Sequence, residues 1–226
     1  MDYESFLELV KKRRSYWEFK SDPVPDDYVE KIVDTARYAP SGFNSQPWEF
    51  VVIKEQELRD GIVGLIADNM RPPGMKPGGP PPPQPKPGMK DPMGFKTAPV
   101  FILVCGDTRV RNFGPPGLQN NDKRFMEILI SSLAIPFQYM HLAATSLGLT
   151  AKWVSATAMP KVESKLKEFL GIPEEFVVYD MMALGYSDFQ PHPKKMRELS
   201  EVLHFGKCGK EDFRTEEEVK AFFNRG

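Results

Sequence analysis

The stretch from Asp122 to about Leu147 limits what this chain can fold into more than any other. Phe125, Met126, Ile128, Leu129, Ile130, Leu133, Ala134, Ile135, Phe137, Tyr139, Met140, Leu142, Ala143 and Ala144 recur around a helical wheel and leave almost no polar face. A helix apolar all round has to be buried all round. A chain of 226 residues builds one core. The economical way to bury such a helix is therefore against a second copy, which predicts a two-fold homodimer. Pro136 predicts a kink in it. His141 reads as a hydrogen-bonded core histidine rather than a ligand.

Other elements flank that helix. Phe6, Leu9 and Val10 mark one face of a first helix that delivers Arg13 at its end. After Pro23 and Pro25, Asp27 with Glu30 reads as a capping box opening a second helix, with Val29, Ile32, Val33 and Ala36 spaced for burial. Trp48 to Ile53 reads as a strand, Glu55 to Asp68 as a helix, and Ala98 to Cys105 as a fully buried strand. Ala151 to Ser155 predicts a short strand, Lys161 to Leu170 a helix closed by Gly171, Phe176 to Leu184 a central strand, and Thr215 to Asn224 a terminal helix. No internal repeat is present, so residues 1–226 read as a single domain.

One segment breaks the pattern. Residues 71–95 hold ten of the 22 prolines and five glycines, too many for a ladder or a helix interior. The segment reads as an excursion over a ligand site, a partner-docking segment or simple disorder. Met75, Met89, Met93 and Phe95 would suit an adaptable pocket wall.

Thirty Lys plus Arg against 31 Asp plus Glu give a formal net charge of −1 and no nucleic-acid footprint. No 18-residue apolar run and no basic-then-apolar leader predict a cytoplasmic protein without a membrane span. Cys105 and Cys208 read as reduced thiols. With three scattered histidines, at 141, 192 and 204, they offer no metal spacing. There is no Ser-His-Asp set, pair of catalytic carboxylates or phosphate-binding Gly-rich loop. Such a chain suits a protein whose reactive atom belongs to a cofactor.

Three stretches could hold one. Ala39 to Trp48 is a loop of small and amide side chains between a helix and a strand, able to lie against a planar polar ligand or simply to turn the chain. Arg13-Arg14-Ser15 at a helix end can form a phosphate fork, or can complement the helix dipole. Lys195 and Arg197, one residue apart in an extended basic run, can form a second phosphate grip or a solvated face.

Arg13-Arg14-Ser15 with Phe19, and Ala39-Pro40-Ser41-Gly42-Phe43-Asn44-Ser45-Gln46-Pro47-Trp48, resemble the two signatures of the nitroreductase-like flavoprotein family. Leu147-Gly148-Leu149 with Trp153, Leu170-Gly171-Ile172-Pro173 and Ala183-Leu184-Gly185-Tyr186 continue the likeness along nearly the whole chain. The resemblance implies an α+β fold, a central mostly antiparallel sheet wrapped by helices, in an intertwined homodimer with exchanged chain ends. It implies FMN at the dimer interface. Arg13, Arg14 and Ser15 would hold the phosphate and ribityl chain, with Lys195 and Arg197 closing on the phosphate. Pro40, Ser41, Gly42 and Asn44 of the other subunit would line the flavin, and the amides around Ser155 and Ala156 would face its N5 and pyrimidine edge. The expected reaction has two half-steps: NADH or NADPH gives hydride to N5 and leaves, and a nitroaromatic, quinone or other conjugated small molecule takes its place. Same-fold alternatives are reductive dehalogenation and flavin destruction; from another class comes a flavin-binding or Pro-rich docking protein without turnover. The family often has a basic residue two after the Ser, where this chain has Trp17.

Overall fold

The computed structural model describes residues 2–70, 91–191 and 193–224. They form two compact units, Met1–Phe189 and Gln190–Gly226. Residues 71–90, most of the Pro-rich excursion, and His192 lie outside the described set.

In the first unit, four strands make one antiparallel sheet in the order β1-β2-β4-β3: β1 Trp48–Ile53, β2 Val100–Asp107, β3 Thr150–Val154 and β4 Phe176–Gly185. This is the α+β arrangement expected. The two inner strands, β2 and β4, are the most apolar, because strands covered on both faces need no polar alternation. One irregularity interrupts their register, Val104 opposing Asp180 but Cys105 opposing Val178, which leaves Tyr179 as an extra residue.

Helices cover both faces. The helices α2 (Asp26–Ala36) and α5 (Asp122–Ser146) lie on one, with Ile32, Leu133, Phe137 and Met140 packed on Ile102, Val104 and Met182. On the other, α3 (Gln56–Asn69) and α6 (Pro160–Leu170) pack Ile62, Ile66 and Leu166 on Phe101, Leu103 and Met181. Gly171 ends α6 with φ 68°, the left-handed value that a side chain would disfavour. The short α4 (Pro116–Gln119) leads into α5. Cys105 is buried in β2, which pushes its thiol up to about 12.

The structure departs from the sequence reading at three places. The second helix starts at Asp26 behind Pro25 without a side-chain cap; Asp27 instead pairs with Lys31 at 2.8 Å, an i,i+4 ion pair. The first helix, α1 (Tyr3–Lys12), buries none of its residues, and Phe6 and Val10 are exposed. Nor is α5 apolar all round: Lys123, Glu127, Ser131 and Gln138 line an exposed edge that also carries Ile130, 48 % exposed. These polar residues interleave with the apolar ones and give the helix one polar edge. Among the described residues α5 is the helix with the length and hydropathy to cross a bilayer. Its buried residues pack on the sheet and on α2, which accounts for that hydropathy within the protein core. It runs unbroken through Pro136, which leaves the Ser132 carbonyl without its helical amide donor.

The second unit carries α7 (Glu216–Phe223), opened by a Thr215–Glu218 capping box.

Candidate functional site

Arg13 caps α1 in extended conformation, and the chain then runs alongside the free edge of β3. Ser15 bridges Ala151 in parallel, and the Tyr16 amide donates to the Ala151 carbonyl at 3.2 Å. The sheet edge thus fixes Arg13, Arg14 and Ser15 beside the strand that leads into Ser155 and Ala156. Those two residues open a 3-10 turn, Ser155–Ala158, rather than ending the strand. Ser15 and Ser155 are exposed, while Arg13, Arg14 and Ala156 are half-buried. Burial, and Arg14 after it, pull the Arg13 guanidinium below its ordinary value.

The second signature loop sits elsewhere on the molecule. The Gly42 amide donates to the Ser132 hydroxyl at 3.0 Å, and that hydroxyl donates to the Ile128 carbonyl at 2.7 Å. A Cβ on Gly42 would lie 2.3 Å from Ile128 Cγ2, so only glycine permits this approach without displacing Ile128. Within the loop the Gln46 amide donates to the Ser41 hydroxyl at 2.9 Å. Phe43, Asn44 and Gln46 all hold positive φ, 59°, 52° and 43°. Left-handed backbone outside glycine stores strain, which marks a loop held for a purpose. Pro40 and Asn44 are exposed. A pocket of about 260 Å³ opens beside the loop, walled by Phe43, Val110, Phe113, Leu118, Phe125 and Ile128.

Within one chain, then, Arg13, Arg14 and Ser15 lie at one end of the β3 edge and Ser155 and Ala156 beyond the other, the strand packing on the C-terminal half of α5 through Trp153 and Phe137. Pro40, Ser41, Gly42 and Asn44 gather at Ile128 and Ser132. Lys195 and Arg197 belong to the second unit. There the Lys195 ammonium lies 5.0 Å over the Phe222 ring, and Arg197 donates to the Glu201 carbonyl.

Three features were missed by sequence reasoning. His141 is buried in the core as expected, but neither ring nitrogen has a hydrogen-bond partner. Lys152 lies in β3 only 6 % exposed, its ammonium 3.6 Å from the centroid of the Trp17 ring and 2.9 Å from the Pro92 carbonyl it donates to. Burial pushes that ammonium down to about 8, opposed by Asp91. A cation accordingly sits against Trp17 even though position 17 carries none. Trp153, 48 % exposed, donates its indole N–H to Asp180 at 2.6 Å, leaving the other carboxylate oxygen unpartnered. A lone Lys in the apolar run Ala151 to Val154, and a lone Asp in Val177 to Leu184, were the available signals.

His141 and Asp180 respond to acid in opposite directions. Burial, and then the Arg13 charge, push the imidazole down to about 4; burial pushes the carboxyl up to about 6 against the Trp153 N–H. The unfolded chain protonates His141 near 6.5 and the folded chain does not, so stability is lost as pH falls from about 6.5 to about 4. The folded chain protonates Asp180 near 6 and the unfolded chain only near 3.8, so stability is gained as pH falls between those values. Each one-proton difference gives a slope of at most ~1.4 kcal/mol per pH unit, and in the native protein the two offset. Urea midpoints at pH 4.5 and 6.5 should therefore show Asp180→Asn more acid-sensitive than the native chain and His141→Phe less so. Changes of the same sign in both variants would show that the shifts are assigned to the wrong groups.

A family model described as the Nitroreductase family matches residues 10–186. A Methanothermobacter thermautotrophicus protein with the provisional name NADH dehydrogenase/NAD(P)H nitroreductase is 28% identical over 185 residues, 82% of this chain and 78% of its own. The solved structure of nitroreductase A from Vibrio parahaemolyticus covers 100% of this chain and 84% of its own with a TM-score of 0.74 at 20% identity. The NADPH:FMN oxidoreductase from Vibrio harveyi, complexed with NAD+, covers 97% of this chain and 83% of its own with a TM-score of 0.72 at 19% identity. At such identity the solved structures show a shared fold. The family match spans both signature stretches but Arg197 and Lys195 lie beyond it, and on that match the chain belongs to the Nitroreductase family.

Proposed function

We propose that this protein is an FMN-dependent NAD(P)H oxidoreductase that works as a homodimer on a nitroaromatic, quinone or other conjugated small molecule. The observation that carries the reading is the Arg13-Arg14-Ser15 segment strapped to β3 by the Ser15–Ala151 bridge. It puts two guanidiniums and a hydroxyl at one end of the strand edge and the Ser155–Ala158 turn at the other. The donor set fits FMN: planar, bidentate cations suit the phosphate, and backbone amides suit the electron-rich edge of a reduced ring. Bound there, FMN would supply hydride transfer between a nicotinamide and the acceptor. Arg13, Arg14 and Ser15 hold and orient the phosphate end; the amides of Ser155 and Ala156 favour the negative charge of the reduced form. The resemblance adds Lys195 and Arg197 to the phosphate grip, and treats residues 1–226 as one domain with an excursion.

The same geometry supports the dimer reading. The loop Pro40–Asn44 and the β3 edge meet α5 at different points, and an antiparallel α5 pairing would bring one copy's loop to the other's edge. Exposed Phe6, Val10 and Ile130 supply apolar surface for such a contact.

A second reading, reductive dehalogenation, has one observation in its favour: a 68-residue match at 37% identity to iodotyrosine deiodinase 1 of Rattus norvegicus, which covers 30% of this chain and 24% of that protein. Purified protein should be yellow with about one FMN per chain, and anaerobic NADH or NADPH should bleach it. Reoxidation by nitroaromatics and quinones, against halogenated phenols, separates the two readings. A colourless protein that does not take up added FMN would overturn both.

A further inference from the structure

The pocket beside the Pro40–Asn44 loop has walls that folding alone does not account for. Phe43 and Phe113 line the same cavity, yet they are 64 % and 89 % exposed. Phe43 also holds φ 59°, a left-handed backbone whose strain glycine or asparagine would largely escape. Neither ring belongs to the core, so what each supplies is an apolar face at the pocket. Val110, Leu118, Phe125 and Ile128 line the rest of it. Its volume of about 260 Å³ exceeds the ~150 Å³ at which an apolar cavity takes up benzene, so a substituted ring or two fused rings fit.

Among the described residues no charged side chain lines this pocket. The basic residues of the adjoining 3-10 turn, Thr108–Phe113, are engaged elsewhere. Arg109 pairs with Asp107 at 2.7 Å and Glu175 at 3.4 Å, while Arg111 pairs with Asp122 and donates to the Gln119 carbonyl at 2.8 Å. That leaves Val110 and Phe113 of the turn to the cavity. The polar side chains there are Ser132, whose hydroxyl already accepts from Gly42 and donates to Ile128, and Ser45. A carboxylate or ammonium entering would lose water and gain no opposite charge. A ring carrying a nitro or carbonyl oxygen could take the Ser45 hydroxyl as its donor. We infer that this pocket binds the electron acceptor and selects an uncharged aromatic ring over one bearing a carboxylate or ammonium, with Phe43 and Phe113 setting the preference. The inference rests on the flavin reading above, because the same loop is proposed to line the flavin.

Three nitrobenzenes of similar size test it: neutral 4-nitrotoluene, anionic 4-nitrobenzoate and cationic 4-nitrobenzylammonium. Saturation-transfer NMR on the FMN-loaded protein should give the neutral ring an affinity about 10-fold or more above either charged one. Reoxidation kinetics should place that difference in KM rather than kcat. Phe113→Ser, at a residue too exposed to carry the fold, should weaken the neutral ring about 2- to 10-fold and leave the charged ones unchanged. Phe43→Asn should weaken it likewise while raising the melting temperature, since Asn suits the left-handed backbone. Val110→Lys should improve 4-nitrobenzoate and worsen 4-nitrobenzylammonium. Equal affinity for all three rings overturns the inference, as does an unchanged neutral ring in Phe113→Ser. A Phe113→Ser protein that turns monomeric and binds every ring as before assigns Phe113 to a subunit contact and overturns it too. The flavin reading fails separately: protein that takes up no FMN yet shows the same ring preference removes the flavin alone, while FMN-loaded protein without the preference removes the pocket alone.

Discussion

Arg14→Ala should weaken FMN binding by about 10- to 150-fold, because a hydrogen bond to a charged group contributes roughly 1.5–3 kcal/mol. The native protein should likewise hold FMN far more tightly than riboflavin, which lacks the phosphate. Arg13→Ala is expected to differ in kind. That guanidinium is half-buried and repelled by Arg14, so its removal relieves a desolvation cost in the empty protein while removing a ligand contact in the loaded one. Arg13→Ala should therefore raise the melting temperature of flavin-free protein and lower that of the FMN complex. Calorimetric titration with each flavin, and melting with and without FMN, check both. If FMN and riboflavin bind equally well to the native chain, the phosphate assignment of all four basic residues is wrong.

The elements of the first unit were largely legible because each has a local cause. The run Trp48 to Ile53 is a strand at those very limits, since its β-branched and aromatic residues sit between a Pro and a polar turn. Gly171 ends α6 because a left-handed residue does so cheaply only without a Cβ. What was not legible is non-local. The capping box at Asp27 has the correct spacing but loses to an ion pair with Lys31. The exposure of Phe6 and Val10 depends on what the rest of the chain leaves uncovered. The burial of Lys152 against Trp17 joins residues that no sequence window contains together. For the site, short motifs pointed to Arg13, Arg14, Ser15 and the Pro40–Asn44 loop, but not to their separation along α5. His141 was legible as core and illegible as an unsatisfied group, because satisfaction is counted only once the neighbours are known.

That separation makes the assembly testable through a residue remote from every proposed flavin contact. Ala134 lies on α5 between the two halves of the site, half-buried in the single chain beside exposed Ile130 and Ser131. If α5 pairs with its own copy, Ala134→Glu buries a carboxylate on each side of the two-fold axis, facing its twin. An unpaired buried charge costs about 3–5 kcal/mol, and the axis doubles it. Dimer and flavin should then be lost together, since one copy's Pro40–Asn44 loop no longer reaches the other's β3 edge. In the monomer the substitution falls on a half-exposed helix position, where Glu is a good helix former, so the fold of the chain itself should survive. Sedimentation should show monomer, far-ultraviolet circular dichroism an unchanged helix signal, and the flavin absorbance should be gone. A monomer that keeps full FMN occupancy would mean that each chain closes its own site, and would remove the α5 pairing from the proposal.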